Sequence, residues 1–178
     1  MKRSNIHEAK TQLSKLIESA LAGEEIVIAN LLNLGNLQVK EIMTPLLVIS
    51  SWPLDYTVRQ ALEEIPETQY IRIPLIGESI EDLKGFALSK DVLLAATRGD
   101  WERPLSDFVK PAPMIKDDQC LDELFRDLVR EQSHLAFVQD EFGGTAGLVT
   151  LEDVIETIIG EEIVDEHDEV ADMRELAR

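Results

Sequence analysis

The architecture of this chain is most apparent in the stretch Ser133-His-Leu-Ala-Phe-Val-Gln-Asp-Glu-Phe-Gly-Gly-Thr-Ala-Gly-Leu-Val-Thr-Leu-Glu-Asp-Val154. Two apolar runs flank a glycine-rich turn and a helical pattern follows, which predicts a β-hairpin leading into a helix. An earlier stretch has the same spacing between a basic side chain, a glycine and an aspartate. These residues are Arg72, Gly85 and Asp91 in the first copy and His134, Gly147 and Asp153 in the second. All three pairs are separated by the same offset, which predicts an internal repeat.

Each copy is predicted to contain a strand, a helix, a two-stranded hairpin and a second helix. The first copy comprises Leu46–Ser50, Thr57–Ile65, Ile71–Leu75, Leu83–Leu88 and Ser89–Ala96. The second comprises Ala112–Ile115, Leu121–Glu131, Leu135–Gln139, Thr145–Val149 and Thr150–Ile159. Because neither copy can close a core alone, we expect an α/β (α+β) fold whose halves pack about a pseudo-two-fold axis, with a ligand cleft between them.

The ends of the chain differ from the repeats in composition. Apolar residues at helical spacing predict a helix over residues 6–23, and Glu25–Ala29 is predicted to be a strand. The chain is therefore divided into a helical leader (1–30), two repeats (38–98 and 99–160) and an acidic tail (161–178). The tail is interpreted as a solvated run of charge. A divalent-cation patch is the alternative, with the carboxylates of Asp165, Glu166, Asp168 and Glu169 as its ligands.

Composition excludes several classes of protein. Among the 178 residues, 17 Lys and Arg face 35 Asp and Glu, so the formal charge is −18 and general nucleic-acid binding is disfavoured. The longest apolar run, Val92 to Ala96, is far shorter than a membrane-spanning helix, so we expect a cytoplasmic location. The single cysteine, Cys120, permits no internal disulfide.

Catalytic motifs are not found. His7, His134 and His167 belong to no recognisable nucleophile or metal motif, so we predict that the chain is not an enzyme and has no metal site built from these histidines. The glycine-rich stretch 143–147 lacks the Lys-Ser/Thr of a phosphate loop and is interpreted as a hairpin turn.

The stretch Thr150-Leu-Glu-Asp153 has two interpretations. It fits a capping box, in which Thr150 caps a helix and Asp153 lies in the first turn. It also fits a ribose site at the cleft, because a carboxylate accepts hydroxyl groups and free backbone N–H groups favour phosphate. The first copy has Leu88 and Asp91 at the aligned positions, so only one complete site is expected.

The pattern Gly-x-x-Thr-x-x-Asp after a hairpin, repeated in degenerate form, resembles the paired CBS domains called a Bateman module. Three segments carry a closer resemblance, to the cytosolic region of the CorC/HlyC/CNNM family of magnesium and cobalt transport proteins. They are Val39-Lys-Glu-Ile-Met-Thr-Pro45, Arg72-Ile-Pro74 and the 133–154 stretch. The resemblance continues through Gly160-Glu-Glu-Ile-Val-Asp-Glu-His-Asp-Glu169 and covers about residues 31–178.

The resemblance implies a site for ATP or AMP, with Mg²⁺ bridging the phosphates, that signals to a membrane transport domain. Thr44 and the Tyr70–Pro74 strand (Tyr70, Ile71, Arg72, Ile73 and Pro74) would hold the adenine. Thr150 and Asp153 would hold the ribose. Arg72 would meet the phosphates, the alternative being an ordinary surface arginine. It also implies a homodimer through the CBS faces. Leu46 departs from the family, since bacterial relatives often have Arg there.

The front end, Asn5-Ile-His-Glu-Ala-Lys-Thr-Gln-Leu-Ser-Lys-Leu-Ile-Glu-Ser-Ala-Leu-Ala-Gly-Glu-Glu-Ile-Val-Ile-Ala29, resembles the opening of Phd/YefM antitoxins. The resemblance, over about residues 4–29, implies an alternative function as an antitoxin-like transcriptional repressor fused to a CBS sensor. Its net charge of +2 over residues 1–22 is small beside −18 for the chain, which disfavours DNA binding. A third possibility is an acidic scaffold whose cleft is filled by side chains.

Overall fold

The computed structural model describes residues 27–64 and 70–160. Its helices are residues 27–33 (α1), Val39–Ile42 (α2), Val58–Glu64 (α3), Ser89–Thr97 (α4), Leu121–Glu131 (α5) and Leu151–Ile159 (α6). Its strands are Thr44–Pro45 (β1), Trp52–Pro53 (β2), Arg72–Ile76 (β3), Leu83–Leu88 (β4), Met114–Lys116 (β5), Leu135–Gln139 (β6) and Thr145–Thr150 (β7). Short 3₁₀ turns occupy Leu34–Asn36, Leu46–Val48 and Leu105–Phe108.

The strands form two sheets, in the orders β1-β7-β6-β5 and β2-β3-β4. Each sheet is built on an antiparallel hairpin, β6–β7 or β3–β4, that a preceding strand joins in parallel. Helices α5 and α3 provide the crossover that a parallel pair of strands requires. The predicted mixed α/β class is confirmed.

The two hairpins can be superimposed in sequence only if their first strands are shifted by one position relative to the predicted repeat. Arg72 pairs with Leu88 in the first hairpin, whereas in the second it is Leu135, not His134, that pairs with Thr150. The single offset predicted for the whole repeat is therefore wrong for the first strand of the hairpin. Because neighbouring residues of a strand point to opposite faces, Arg72 corresponds to a buried leucine rather than to a histidine.

The physical reason is the length of the hairpin loop. The loop spans residues 77–82 in the first repeat and 140–144 in the second, so the second loop is shorter by a single residue. The offset between the repeats is consequently larger by one position before the loop than after it. Val58 and Leu121, the first residues of α3 and α5, follow the larger offset, and both are fully buried.

Each half of the molecule pairs with a segment that precedes the other half. In β1, Thr44 lies opposite Leu148 of β7. Reciprocally, Lys110 forms a bridge with Phe86 of β4, with backbone N···O distances of 2.8 and 3.0 Å. Thr44 is thus the counterpart of Lys110, because Leu148 and Phe86 are themselves equivalent in the two hairpins. This exchange relates the two halves by an approximate two-fold axis.

Two of the three buried clusters in the described part of the chain are closed by this exchange. Val39 and Ile42 of α2 pack with α5, β6, β7 and α6, while Leu105 packs with α3, β2 to β4 and α4. The segments that lead into each sequence repeat thus help to close the opposite core. The boundaries 38–98 and 99–160 describe the repeats in the sequence, and as domain boundaries they stay predictions.

Two predicted strands are wrong. The Glu25–Ala29 strand extends into residues 27–33, which are helical, and Asn30 Nδ2 of this helix donates a hydrogen bond of 3.2 Å to the Ile158 carbonyl. A helix satisfies its backbone groups internally, whereas an unpaired strand would not. In Leu46–Ser50, residues 46–48 form a 3₁₀ turn, because pairing occurs at β1 and β2 on either side. The predicted 6–23 helix and the 161–178 tail lie outside the described residues.

Candidate functional site

The Thr150–Asp153 stretch begins α6 directly after β7. Asp153 Oδ2 accepts hydrogen bonds of 2.7 Å from both the backbone N–H and the hydroxyl of Thr150, and Thr150 Oγ1 accepts one of 3.2 Å from the Asp153 N–H. The capping box that the sequence predicted is confirmed. It fixes a hydroxyl and a carboxylate at a helix start, where backbone N–H groups lack helical partners.

Arg72 reaches this helix start from the other repeat. Its Nη1 lies 3.7 Å from Oε1 of Glu152, which is inside the capping stretch. His134 Nδ1 lies 3.8 Å from the same oxygen. Only 23% of the Arg72 side chain is exposed, against 50% for Glu152, so the guanidinium is held at the junction of the two halves.

The Tyr70–Pro74 segment is divided between surface and core. Tyr70 is 38% exposed and Ile71 is 61% exposed. Ile73 is 1% exposed and belongs to the first core, and Pro74 is also buried. The side chain of Ile73 is therefore directed away from any ligand, and only its backbone could take part in binding.

Thr44 lies on β1, the edge strand of the sheet that carries Thr150. Its partner across the strands is Leu148, which shortly precedes Thr150 and so places Thr44 at the same end of β7. The structure thus brings Thr44 to the strand that carries Thr150, and Arg72 to the helix that follows.

A cleft of about 670 Å³ lies between the halves. Its walls come from β3, β4, the segment before β5 and the end of α5: Arg72, Phe86, Leu88, Lys110–Pro113 and Glu131–His134. Of the predicted site residues only Arg72 lines it. Thr44, Thr150 and Asp153 belong to the symmetry-related position, where the counterpart of the 131–134 wall is 68–71, partly outside the described residues. The alternative of an acidic scaffold, whose nucleotide cleft would be filled by side chains, stays a prediction.

Lys110 is a residue of the cleft that the sequence analysis missed. Its Nζ lies 3.4 Å from Oδ2 of Asp91 in α4. The signal that could have found it is the resemblance of Lys110-Pro111 to Thr44-Pro45, since each pair stands in the segment that leads into a repeat.

Acidic side chains elsewhere in the described residues form no cation site. Residues 27–64 and 70–160 contain no group of three or more His, Cys, Asp or Glu side chains able to hold a metal ion. In the β3–β4 loop, a hydrogen bond from Lys84, whose Nζ is 2.6 Å from Asp82, lowers the pKa of the Asp82 carboxyl. The residues of the predicted divalent-cation patch, 165–169, lie outside the described part of the chain.

Known proteins similar to this chain include magnesium and cobalt efflux proteins, a UPF0053 protein and CBS domains. Magnesium and cobalt efflux protein CorC of Escherichia coli K12 is 33% identical over 155 residues, which are 85% of this chain and 52% of CorC. UPF0053 protein sll1254 of Synechocystis is 34% identical over 155 residues, 87% of this chain and 44% of that protein. This chain thus spans about half the length of these curated relatives. No protein-family model matches it.

A solved structure extends the similarity to three dimensions. It is the CBS domain of a bacterial CNNM/CorC family Mg²⁺ transporter in complex with ATP, with a TM-score of 0.74 and 38% identity, and the match covers 78% of this chain and 98% of that one. The antitoxin resemblance of residues 4–29 finds no support in these comparisons. Residues 1–26, which carry most of it, lie outside the described residues.

Proposed function

The chain belongs to the bacterial CNNM/CorC family as its CBS-domain part, and we propose that it is a non-enzymatic regulatory module that binds an adenine nucleotide between its two repeats. The tandem CBS fold that the resemblance implied is confirmed. The proposal concerns which nucleotide groups this chain holds, with which residues, and with what consequence.

The observation that carries the proposal is the ion pair between Arg72 and Glu152 at the start of α6. Arg72 belongs to the first repeat, and Glu152, 3.7 Å from its Nη1, lies between Thr150 and Asp153 of the second. A carboxylate accepts hydrogen bonds from vicinal hydroxyls, while a guanidinium binds phosphate in bidentate fashion. A ribose at Thr150 and Asp153 would thus direct its phosphates toward Arg72. A similar CBS domain is described in complex with ATP, which supports this choice of ligand.

The adenine is proposed to lie between Thr44 and the Tyr70–Pro74 segment. Tyr70 and Ile71 expose apolar surface there, and the buried Ile73 and Pro74 contribute backbone only. Backbone N–H and C=O groups suit the edge of a purine, which carries donors and acceptors of its own.

Signalling follows from the position of the ligand. A nucleotide held by residues of both repeats favours the arrangement in which those residues are close together, and so shifts the population of that arrangement. In the whole protein we propose that this change reaches a membrane transport domain from its cytoplasmic side and that the module acts as a homodimer. Within the described residues no helix is long and apolar enough to span a bilayer.

Magnesium is proposed to bind with the polyphosphate rather than at a protein site of its own. Glu152 lies beside Arg72, so a triphosphate would meet a carboxylate as well as a cation. Mg²⁺ bridging the phosphate oxygens would reduce that repulsion. AMP, with fewer charges, would need the ion less.

The test is a thermal-shift screen of the full chain with AMP, ADP and ATP, each with and without Mg²⁺. A ligand that binds only the folded state raises Tm by an amount that grows with the logarithm of 1 + [L]/Kd. We expect a rise with adenine nucleotides that adenine alone does not produce at equal concentration, because adenine lacks the ribose and the phosphates. No rise with any nucleotide at millimolar concentration would contradict the proposed function.

A further inference from the structure

The approximate two-fold axis implies two related clefts, and they differ in chemistry. The cleft of about 670 Å³ is bordered by Leu88 and Lys110. These residues are the counterparts of Thr150 and Thr44, which belong to the proposed nucleotide site. The sequences of the two repeats have therefore diverged at the positions that select a ligand.

The threonine hydroxyl and the aspartate carboxylate that are proposed to hold the ribose in the other cleft are not reproduced in this one. Leu88 has no hydroxyl group. Asp91, the counterpart of Asp153, is engaged by Lys110, whose Nζ lies 3.4 Å from its Oδ2. A ribose would have to displace that ammonium group to reach the carboxylate, so a nucleoside is disfavoured here.

The cleft nevertheless contains a cationic side chain, that of Arg72, whose contact with the nearest acidic group among the described residues is long. Arg72 is 23% exposed, its nearest carboxylate oxygen is 3.7 Å away on Glu152, and it donates no hydrogen bond to the part of the chain that the structure describes. His134 approaches the same oxygen only to 3.8 Å. Glu131 is the acidic group among the lining residues. An anion that accepts from the guanidinium would satisfy donors that now face the solvent of the cleft.

One part of the wall is apolar, and the end of α5 adds the polar residues Gln132 and Ser133. Phe86 and Leu88 are alternate residues of β4 and so face the same side, and the segment Pro111–Pro113 lines the cleft beside them. A volume of this size fits a small molecule.

We propose that this second cleft binds a small organic anion with a flat apolar body and no sugar. Phe86, Leu88 and Pro111–Pro113 contact the body, and Arg72 and Lys110 hold the anionic group. The site shares Arg72 with the phosphate end of the proposed nucleotide site and does not include the ribose-binding residues Thr150 and Asp153.

The probe is 2-naphthyl phosphate, titrated calorimetrically into the full chain. Inorganic phosphate and 2-naphthol serve as comparators that carry the anionic group alone and the apolar body alone. We expect 2-naphthyl phosphate to bind at least tenfold more tightly than either comparator, because only it engages both walls of the cleft.

Two variants locate the binding. Leu88→Glu places a negative charge on the apolar wall and should weaken 2-naphthyl phosphate at least tenfold. Phe142→Glu makes the same change of charge at a side chain that is 88% exposed at the tip of the β6–β7 loop, and should change the affinity less than twofold. Lys110→Gln, at a half-exposed side chain, should weaken binding several-fold and gives a second result if Leu88→Glu does not fold.

Several results would overturn the proposal. One is unchanged affinity for 2-naphthyl phosphate in folded Leu88→Glu or in Lys110→Gln. Another is no binding of the probe by the wild-type chain at millimolar concentration. Asp153→Ala keeps this result apart from the proposed function, because ATP affinity should fall about tenfold or more in that variant while the affinity for 2-naphthyl phosphate should change less than twofold. Equal loss of both ligands would mean one shared site and would also contradict the proposal.

Discussion

Asp153 and Asp91 hold corresponding positions in the two repeats. Their carboxylates have different partners, and we therefore expect them to have different roles in binding. Asp153 is held by the backbone and hydroxyl of Thr150 at 2.7 Å. In the first repeat Leu88 stands at the position of Thr150, and Asp91 forms an ion pair with Lys110 at 3.4 Å. The same carboxylate is thus arranged beside a hydroxyl in one repeat and neutralised by an ammonium group in the other.

Substitution of these two aspartates should therefore have unequal effects on nucleotide binding. Asp153→Ala removes charge-assisted hydrogen bonds to the ribose, each worth roughly 1.5 to 3 kcal/mol, and should weaken ATP or AMP about tenfold or more in calorimetry. Asp91→Ala should change the affinity about twofold or less, because no ribose is expected there. Equal losses for the two variants would contradict the assignment of a single nucleotide site.

The loss of the helix cap must be separated from the loss of the ligand contact. Asp153→Ala also removes half of the capping box, which should lower the free energy of unfolding by about 1 kcal/mol. Thermal or urea unfolding of the free protein measures this effect directly. Affinity is then compared under conditions where both variants are fully folded.

At the scale of elements, the pairing of β1 with β7 of the opposite half depends on Gly147. A Cβ at this position would overlap the carbonyl oxygen of Thr44, which lies on the neighbouring strand. Gly85 meets the Lys110 carbonyl in the same way in the other half. Glycine is needed at both positions because two backbones cross closely there.

Gly147→Ala should consequently separate β1 from β7. We expect a loss of about 1 to 3 kcal/mol in the free energy of unfolding, as for an overpacked interior, measured by urea denaturation. Nucleotide affinity should fall as well, because Thr44 moves with β1.

Gly35→Ala is the matched control. The nearest atom to a Cβ at Gly35 is 3.7 Å away, an ordinary van der Waals contact, so stability and affinity should hardly change. If Gly147→Ala were as stable as Gly35→Ala, the close approach of β1 to β7 would not be required for folding.

At the scale of the whole molecule, several apolar side chains remain uncovered on the outer helices. Leu93 and Leu94 of α4 are 50% and 48% exposed, and Val129 of α5 is 54% exposed. Exposed apolar patches often mark contacts between protein chains. Light scattering should therefore report twice the chain mass of 20.0 kDa. A strict monomer at high micromolar concentration would argue against the homodimer.

The net charge of −18 should control the response to magnesium. ATP adds about four negative charges, and at physiological salt repulsion extends over about 8 Å. Millimolar Mg²⁺ should therefore raise ATP affinity several-fold in calorimetry while AMP affinity barely changes. Undiminished ATP binding in excess chelator would refute this expectation and would indicate a cationic pocket around Arg72 that outweighs the acidic field.

Monovalent salt tests how Mg²⁺ acts. If repulsion arises from the general acidic field, added salt should partly replace Mg²⁺, since screening acts on all exposed charges. If Mg²⁺ is needed at a defined position on the phosphates, salt should not replace it. The comparison uses the same chain and the same nucleotide throughout.

The sequence by itself determined the class of fold, the repeat and the capping box, because these depend on local spacing. Alternation of short strands and helices, and a Thr-x-x-Asp at a helix start, are properties of consecutive residues. The helical form of residues 27–33 was missed because apolar runs this short are ambiguous between strand and helix.

Only the tertiary structure decided which residues meet across the molecule. The hairpin loops differ in length by a single residue, so Arg72 corresponds to Leu135 and not to His134. Each lead-in segment crosses to the opposite sheet, so Lys110 faces Asp91 and Thr44 lies beside Leu148. The exchange is set by the packing of segments that are distant in the chain, and the register of each hairpin is set by its loop, so neither follows from the shared spacing of the two repeats.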